Sequence, residues 1–199
     1  MWKTTRLITV TALLGLSAAA SFGGVAHAAG GATSVALTGG SLTVTGGAPG
    51  AFSATLNGAN QTANTSLAAY TVDDATGTGA GWNVTFQATQ FTCVVATDAG
   101  CKTGFTTLPT SSLSIAPPTA ACAGGSTCNG SPTVSISTAT AVDGAAPVKV
   151  LSAALNAGMG SYTVTPGTIG TGQLQLAIPG NALATTYHST LTITVNSGP

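Results

Sequence analysis

The segment WNVTFQA, Trp82–Ala88, decides the fold class because its apolar and polar residues alternate with a period of two. Trp82, Val84 and Phe86 fall on one face of an extended chain. The three residues between them are polar and fall on the opposite face. Alternation of this kind is typical of a β-strand that covers one side of a hydrophobic core.

A second alternating segment lies at residues 187–195, where Tyr187, Leu191, Ile193 and Val195 share one face and His188 lies on the other. Short runs of Thr, Val, Leu and Ile, bounded by Gly, Pro and Asn, predict further strands. These are residues 41–45, 52–56, 67–72, 113–115, 134–137, 148–153, 162–165 and 173–178. We therefore expect an all-β domain of antiparallel sheets packed as a sandwich, with long Gly- and Pro-rich loops.

One segment also fits a helical turn. Leu151 and Leu155 are four residues apart, as on one face of a helix, and Gly158 follows as a stop signal.

The N-terminal segment has the pattern of a secretory signal peptide. Lys3 and Arg6 precede an apolar run, and Ala26 and Ala28 form a small-x-small cleavage site. Thr, Ser and Gly interrupt the apolar run, so we expect a signal peptide at residues 1–28 rather than a transmembrane anchor. Residues 29–199 are then long enough for one domain with its own core.

The charge of residues 29–199 is very low, with two lysines, four aspartates and no glutamate. Nucleic-acid binding is not expected, since too few cations are present to neutralise phosphates. A surface of Thr, Ser, Asn, Gln and Gly suits a protein that contacts a polymer, other surface proteins or copies of itself.

Four cysteines, Cys93, Cys101, Cys122 and Cys128, predict two disulfides in an exported chain. Three pairings are open. We favour Cys93–Cys101 and Cys122–Cys128, because each pair brackets a short Gly-containing segment that can turn back on itself. Zinc is not expected, since neither pair has C-x-x-C spacing. Residues 92–130 are predicted to be a disulfide-stapled loop region with few strands.

Both alternating segments carry motifs that resemble the WxL domain, a secreted cell-wall-binding module of Gram-positive bacteria. The proximal motif is an aspartate- and glycine-rich turn, DDATGTGAG, that leads into Trp82 and Val84. The distal motif, Tyr-x-x-x-Leu-Thr-Trp-x-Leu-x-x-x-Pro, is matched by YHSTLTITVNSGP at residues 187–199. The matching positions are Tyr187, Leu191, Thr192 and Pro199. Ile193 and Val195 replace the second tryptophan and leucine of the pattern.

The resemblance implies an all-β fold and non-covalent association with peptidoglycan or an associated wall polymer. Trp82 then has two interpretations. Its indole either fills the core beside a turn whose glycines allow close approach, or is partly exposed and stacks on glycan rings. As candidate ligand-binding residues we select Trp82, Asn83 and Tyr187.

Other chemistry is not expected from the sequence. The Asp73–Asp74 turn offers oxygen ligands for calcium but lacks the EF-hand spacing, so no metal and no cofactor are expected. His188 has no second histidine nearby, and a G-x-S-x-G motif is absent, so the protein is not expected to be an enzyme.

Surface retention is expected to be non-covalent. The segment LPTSS, residues 108–112, is internal and lacks the threonine and glycine of a sortase motif. A lipoprotein would need a cysteine directly after the signal peptide, and the first cysteine is Cys93. The leading function is therefore wall association, and the alternative is a self-assembling subunit of an extracellular fibre or surface layer, because few charges protect its strand edges.

Overall fold

A computed structural model describes residues 33–199, so the predicted signal peptide lies outside the described residues. Residues Gly39–Pro199 form one compact unit. Residues 33–38, which belong to another unit, have no regular secondary structure and are exposed. Between residues 33 and 199 the chain forms strands and no helix, and hence contains no helical segment able to cross a membrane.

Eleven strands follow one another along the chain. They are β1 (Leu42–Gly46), β2 (Gln61–Thr65), β3 (Tyr70–Asp74), β4 (Trp82–Ala88), β5 (Leu113–Cys122), β6 (Thr133–Val134), β7 (Thr140–Ala141), β8 (Val148–Ala153), β9 (Gly160–Gly167), β10 (Leu174–Ile178) and β11 (Leu191–Ser197). The larger sheet has the order β1-β3-β9-β5-β10-β2, with β7 paired to β5. The smaller sheet has the order β11-β4-β8-β6. All pairs are antiparallel, which confirms the predicted fold class.

The core lies between the two sheets and is built by the predicted alternation. Trp82, Val84 and Phe86 of β4 are buried, while the residues between them are half-buried. They meet buried residues of the larger sheet, including Tyr70, whose ring centroid lies 5.7 Å from that of Phe86, and Tyr162. Period-two alternation in β4 thus supplies one wall of the core.

β5 is the one strand within residues 92–130 and extends the predicted strand at residues 113–115 as far as Cys122. This strand is ten residues long and pairs with β10 and β7 near its start and with β9 near its end. The register shifts between Ala116 and Thr119, around Pro117 and Pro118. Proline lacks an N–H and is tolerated in a sheet at such an irregularity, so the strand continues past it.

β8 shows that the helical turn predicted at residues 150–155 is wrong. The register with β4 shifts between Val84 and Thr85, so that Val84 faces Leu151 and Thr85 faces Lys149. This bulge turns two successive residues, Val150 and Leu151, into the core. It breaks the period of two and leaves apolar residues with a spacing that resembles a helix.

The predicted strand at residues 52–56 is also wrong. The strand that follows β1 in the sequence is β2, QTANT, which pairs with β10 and contributes Ala63 to the core. Residues 52–56 are unpaired, although Phe52 still packs edge-to-face on Phe91 at 6.1 Å. The position of β2 is set by pairing rather than by its polar sequence.

The ends of several other strands differ by a few residues from the predicted ones. Leu67 forms an isolated bridge with Pro49, and β3 begins only at Tyr70. β6, Thr133–Val134, shares only Val134 with the strand predicted at residues 134–137, and β11 begins at Leu191 after an isolated bridge between His188 and Thr92.

Both local disulfides are confirmed. Cys93 pairs with Cys101 at a Cα–Cα distance of 6.0 Å, and Cys122 pairs with Cys128 at 5.8 Å. The first closes the loop that follows β4, and the second closes the loop that follows β5.

Candidate functional site

The two motif-bearing strands are direct neighbours in the smaller sheet. β4 pairs with β11 so that Trp82 faces Ser197, Val84 faces Val195 and Phe86 faces Ile193. Proximal and distal motifs therefore form one two-stranded unit.

Trp82 lies in the core with 0% of its surface exposed, which confirms the packing interpretation. Its indole Nε1–H donates a hydrogen bond to the carbonyl of Gly158 at 2.8 Å, and its ring meets Tyr162 edge-to-face at 5.9 Å. A buried indole needs such a partner for its N–H. The indole has no solvent-facing surface for a sugar ring, so its contribution to binding would be to hold the strand rather than to touch the ligand.

The glycine-rich turn before Trp82 has a steric cause. Gly81 has a φ of +73°, and a Cβ there would come within 2.7 Å of the Ala154 carbonyl. Only glycine combines this backbone conformation with such close approach. The turn therefore brings the chain against the end of β8 and delivers Trp82 directly into the core.

Asp74 organises the same turn. Its carboxylate accepts hydrogen bonds from the backbone N–H of Thr76 at 3.0 Å and from the Thr76 hydroxyl at 2.6 Å. Burial, and then the negative charge of Asp74, raise the pKa of Tyr162 above its ordinary value. Across residues 33–199, no group of three His, Cys, Asp or Glu side chains is arranged to hold a metal.

Asn83 lies on the outer, polar face of the smaller sheet. Its Nδ2 donates to the Gly198 carbonyl at 2.8 Å, and its Oδ1 accepts from Asn196 at 3.3 Å. Thr192 faces solvent on the neighbouring strand. Asn83 is thus hydrogen-bonded to the last residues of the described chain.

Tyr187 lies between two cavities. The smaller one, of about 300 Å³, is lined by Gln90, Phe105, Asn181 and Tyr187, among others. We call it the tyrosine pocket. The Tyr187 hydroxyl accepts a hydrogen bond from the backbone N–H of Leu183 at 3.3 Å, which fixes the ring at the pocket wall.

The larger cavity, of about 880 Å³, is an open groove lined mostly by apolar side chains. Its floor comprises Leu113, Leu174 and Leu176, and its two walls are residues 49–56 and residues 182–189. We call it the apolar groove.

The three candidate ligand-binding residues do not converge. Trp82 and Asn83 lie where β4 begins, opposite Ser197 and Asn196. Tyr187 precedes Leu191, which faces Ala88 at the other end of β4. The motif residues therefore mark opposite ends of one strand pair.

His188 lies beside Asp98, with its Nε2 3.1 Å from Oδ1 of that carboxylate. The backbone N–H of Val94 donates to Asp98 Oδ2 at 2.6 Å. This backbone hydrogen bond, followed by the contact with His188, holds the pKa of Asp98 below its usual value. The pair connects the Cys93–Cys101 loop to the segment that carries Tyr187.

Comparison with protein-family models matches residues 32–199 to the WxL domain, described as surface cell wall-binding. The chain belongs to the WxL domain family. No curated protein and no solved structure matches it significantly.

The motif residues of the WxL family differ in burial in this chain. Val84 and Leu191 are core-facing, Thr192 faces outward and Pro199 is exposed. Ile193, at the second tryptophan position, packs on the core above Gly47, where an added Cβ would meet its Cδ1. In this WxL domain the replaced tryptophan is therefore a packing position.

Sequence reasoning missed several residues of the site. Phe105 lines the tyrosine pocket with Tyr187, and Phe52 and Phe91 line the apolar groove with it, but all three lie far from Tyr187 in the sequence. Gly158 accepts the indole hydrogen bond from 76 positions away, and no local pattern distinguishes it from other glycines. The only feature of the sequence that could have pointed to these phenylalanines as site residues is the scarcity of aromatic residues, which make up 5% of the chain.

Proposed function

We propose that residues 29–199 form a secreted, non-enzymatic protein that associates non-covalently with peptidoglycan through its WxL domain. The family match over residues 32–199 carries this proposal. The predicted signal peptide at residues 1–28 accounts for export. The scarcity of charged residues supports a contact made by hydrogen bonds and apolar packing rather than by ion pairs.

The tyrosine pocket is the site that we assign to the wall ligand. Phe105 is 59% exposed, and with Tyr187 it offers apolar ring faces of the kind that sugar rings cover. Gln90 and Asn181 place amide groups at the same pocket, where they can pair with hydroxyl or acetamido groups. A few polar groups around an apolar surface are typical of small-ligand sites.

The lining of this pocket supports binding without hydrolysis. Glycoside hydrolysis uses two carboxyl groups on either side of the scissile bond. Among the described residues, those that line the tyrosine pocket include neither an aspartate nor a histidine. Asn83 lies on a different face, and its contact with a wall polymer stays a prediction.

Binding to purified sacculi tests this assignment. Phe105→Ala and Tyr187→Ala should each lower the amount of protein that sediments with sacculi, because each removes a ring from the pocket. Tyr187→Phe keeps the ring but loses the hydrogen bond from Leu183, so its binding should fall between that of the wild type and that of Tyr187→Ala. Val95→Ala is the matched control, since Val95 is 50% exposed on the Cys93–Cys101 loop that precedes Phe105 and does not line the pocket.

Circular dichroism of every variant separates lost binding from lost folding. Equal sedimentation of the wild type and both alanine variants would remove the pocket from the proposal. Failure of the wild type to sediment with any sacculus would contradict peptidoglycan binding itself.

A further inference from the structure

The walls of the apolar groove have unpaired backbone. Between residues 33 and 199, the structure shows no backbone hydrogen bond for residues 52–56 on one wall or for residues 184–186 on the other. Thr185, which lines the groove, has a buried hydroxyl without a hydrogen-bond partner. Backbone groups left unpaired beside an apolar floor are a template for an added strand.

Residues 33–38, TSVALT, have the sequence of such a strand. Val35 and Leu37 alternate with small or polar residues, and they are 80% and 88% exposed. Large aliphatic side chains with this exposure gain free energy when a partner buries them. We call this segment the arm.

We propose that the arm of one copy adds as a β-strand to residues 52–56 in the apolar groove of a second copy, with Val35 and Leu37 on the groove floor. Six extended residues span about 20 Å, and the five unpaired residues of the wall span about 17 Å. The two segments are therefore matched in length and in their lack of charge.

The base of the arm favours a second copy over the arm's own groove. Gly40 donates a hydrogen bond to the Ala75 carbonyl, and Leu42 at the start of β1 faces Asp74. This is the end of the sandwich where β4 begins, whereas the groove lies beyond Gly46, where β1 ends. An arm of six residues that folded back would extend only about the length of β1, since each residue spans about 3.3 Å.

Placing donor and acceptor at opposite ends makes the contact head-to-tail. A head-to-tail contact that does not close into a ring propagates as a filament. The proposal does not rest on wall binding, because it uses the arm and residues 52–56, although Tyr187 lines both the tyrosine pocket and the apolar groove.

Cross-linking of mixed variants of residues 29–199 tests the contact. Ala36→Cys lies on the arm and Thr55→Cys on the exposed side of the groove wall. Mild oxidation of a mixture of the two single variants should produce a dimer that contains one copy of each, identified by mass spectrometry of the peptides joined by the introduced cysteines. The double variant should form covalent oligomers. A double variant that becomes a cross-linked monomer would overturn the proposal in favour of docking within one copy.

Charge substitutions on the two faces of the arm provide the matched control. Val35→Asp with Leu37→Asp should lower the fraction of oligomer in sedimentation velocity by more than about tenfold, because two buried aliphatic groups are replaced by charges. Ser34→Asp with Ala36→Asp adds the same charge on the other face and should leave most oligomer intact. Monomeric wild type at the highest soluble concentration, or equal losses in both pairs, would refute the proposal, while sacculus binding would report separately on wall association.

Discussion

Trp82 shows how much one side chain contributes to this WxL domain. Trp82→Phe keeps an aromatic ring in the core but removes the hydrogen bond to Gly158 and part of the contact with Tyr162. We expect a loss of about 1–3 kcal/mol in the free energy of unfolding, measured by chemical denaturation. Sacculus binding by the folded variant should be retained. Unchanged stability with weakened binding would contradict the buried position.

Gly158 is the partner that makes the indole position possible. Gly158→Ala should destabilise the domain by about 1–3 kcal/mol, because its φ is +82° and an added Cβ would lie 2.6 Å from Trp82 Nε1. Gly125→Ala is the matched control, since Gly125 has a φ of +84° and open space around it. The difference between the two denaturation midpoints isolates the clash, and equal midpoints would show that no clash exists.

These two residues also show what sequence can predict at this scale. The alternation of its own strand, which is local information, puts Trp82 on the core-facing side but leaves open whether the indole is buried or partly exposed. Its hydrogen-bond acceptor depends on how the loop after β8 returns to the core. That arrangement exists only after long-range pairing has formed, so no spacing in the sequence predicts it.

At the scale of elements, the two disulfide loops have different consequences for the site. Removing Cys93–Cys101 with serines should lower stability by about 2–3 kcal/mol and also weaken sacculus binding, because Phe105 follows this loop directly. Removing Cys122–Cys128, a loop of similar length, should lower stability by a similar amount without affecting binding. Equal effects on binding would indicate that the tyrosine pocket does not depend on the first loop.

The stability of the Cys93–Cys101 loop should depend on pH. The pKa of Asp98 is lowered in the fold by the Val94 N–H and by His188, so its carboxylate stabilises the folded loop above the unfolded pKa of about 3.9. That contribution is lost as the pH falls through the lower folded value. Amide hydrogen exchange should therefore show that this loop, compared with the rest of the domain, is less protected at low pH than at neutral pH. Asp98→Asn should remove this pH dependence, and a persistent dependence would assign it to another group.

Elements were predictable where a strand follows its own alternation and not where pairing sets it. β4 and β11 were predicted because each covers the core with a regular period. β2 was missed because only Ala63 in QTANT is both apolar and buried. β8 was partly misread because its bulge turns Val150 and Leu151 inward together. Residues 52–56 alternate like a strand but have no pairing partner in the described chain.

At the scale of the whole molecule, the two ends of the sandwich differ in character. One end carries the Asp74 turn, Trp82 and the base of the arm, and its polar groups are satisfied within the fold. The other end carries Tyr187, both cavities and the unpaired wall segment. The cavities and the unpaired wall segment therefore lie at one end of the sandwich, although residues of the sequence motifs lie at both ends.

The low charge of the whole domain determines how it should leave the wall. With two lysines and four aspartates after residue 28, few ion pairs are available for sodium chloride to screen. We expect washing of intact cells with moderate sodium chloride to leave the protein in place. Urea, which weakens apolar packing and unfolds the domain, should release it as an intact mature chain. Immunoblots of the wash fractions, with mass spectrometry of the released chain, make the comparison, and a lysine-rich wall protein from the same cells is the control that salt should release. Recovery of the chain only after enzymatic digestion of the wall, joined to muropeptides, would contradict non-covalent retention, because a covalent bond survives both washes.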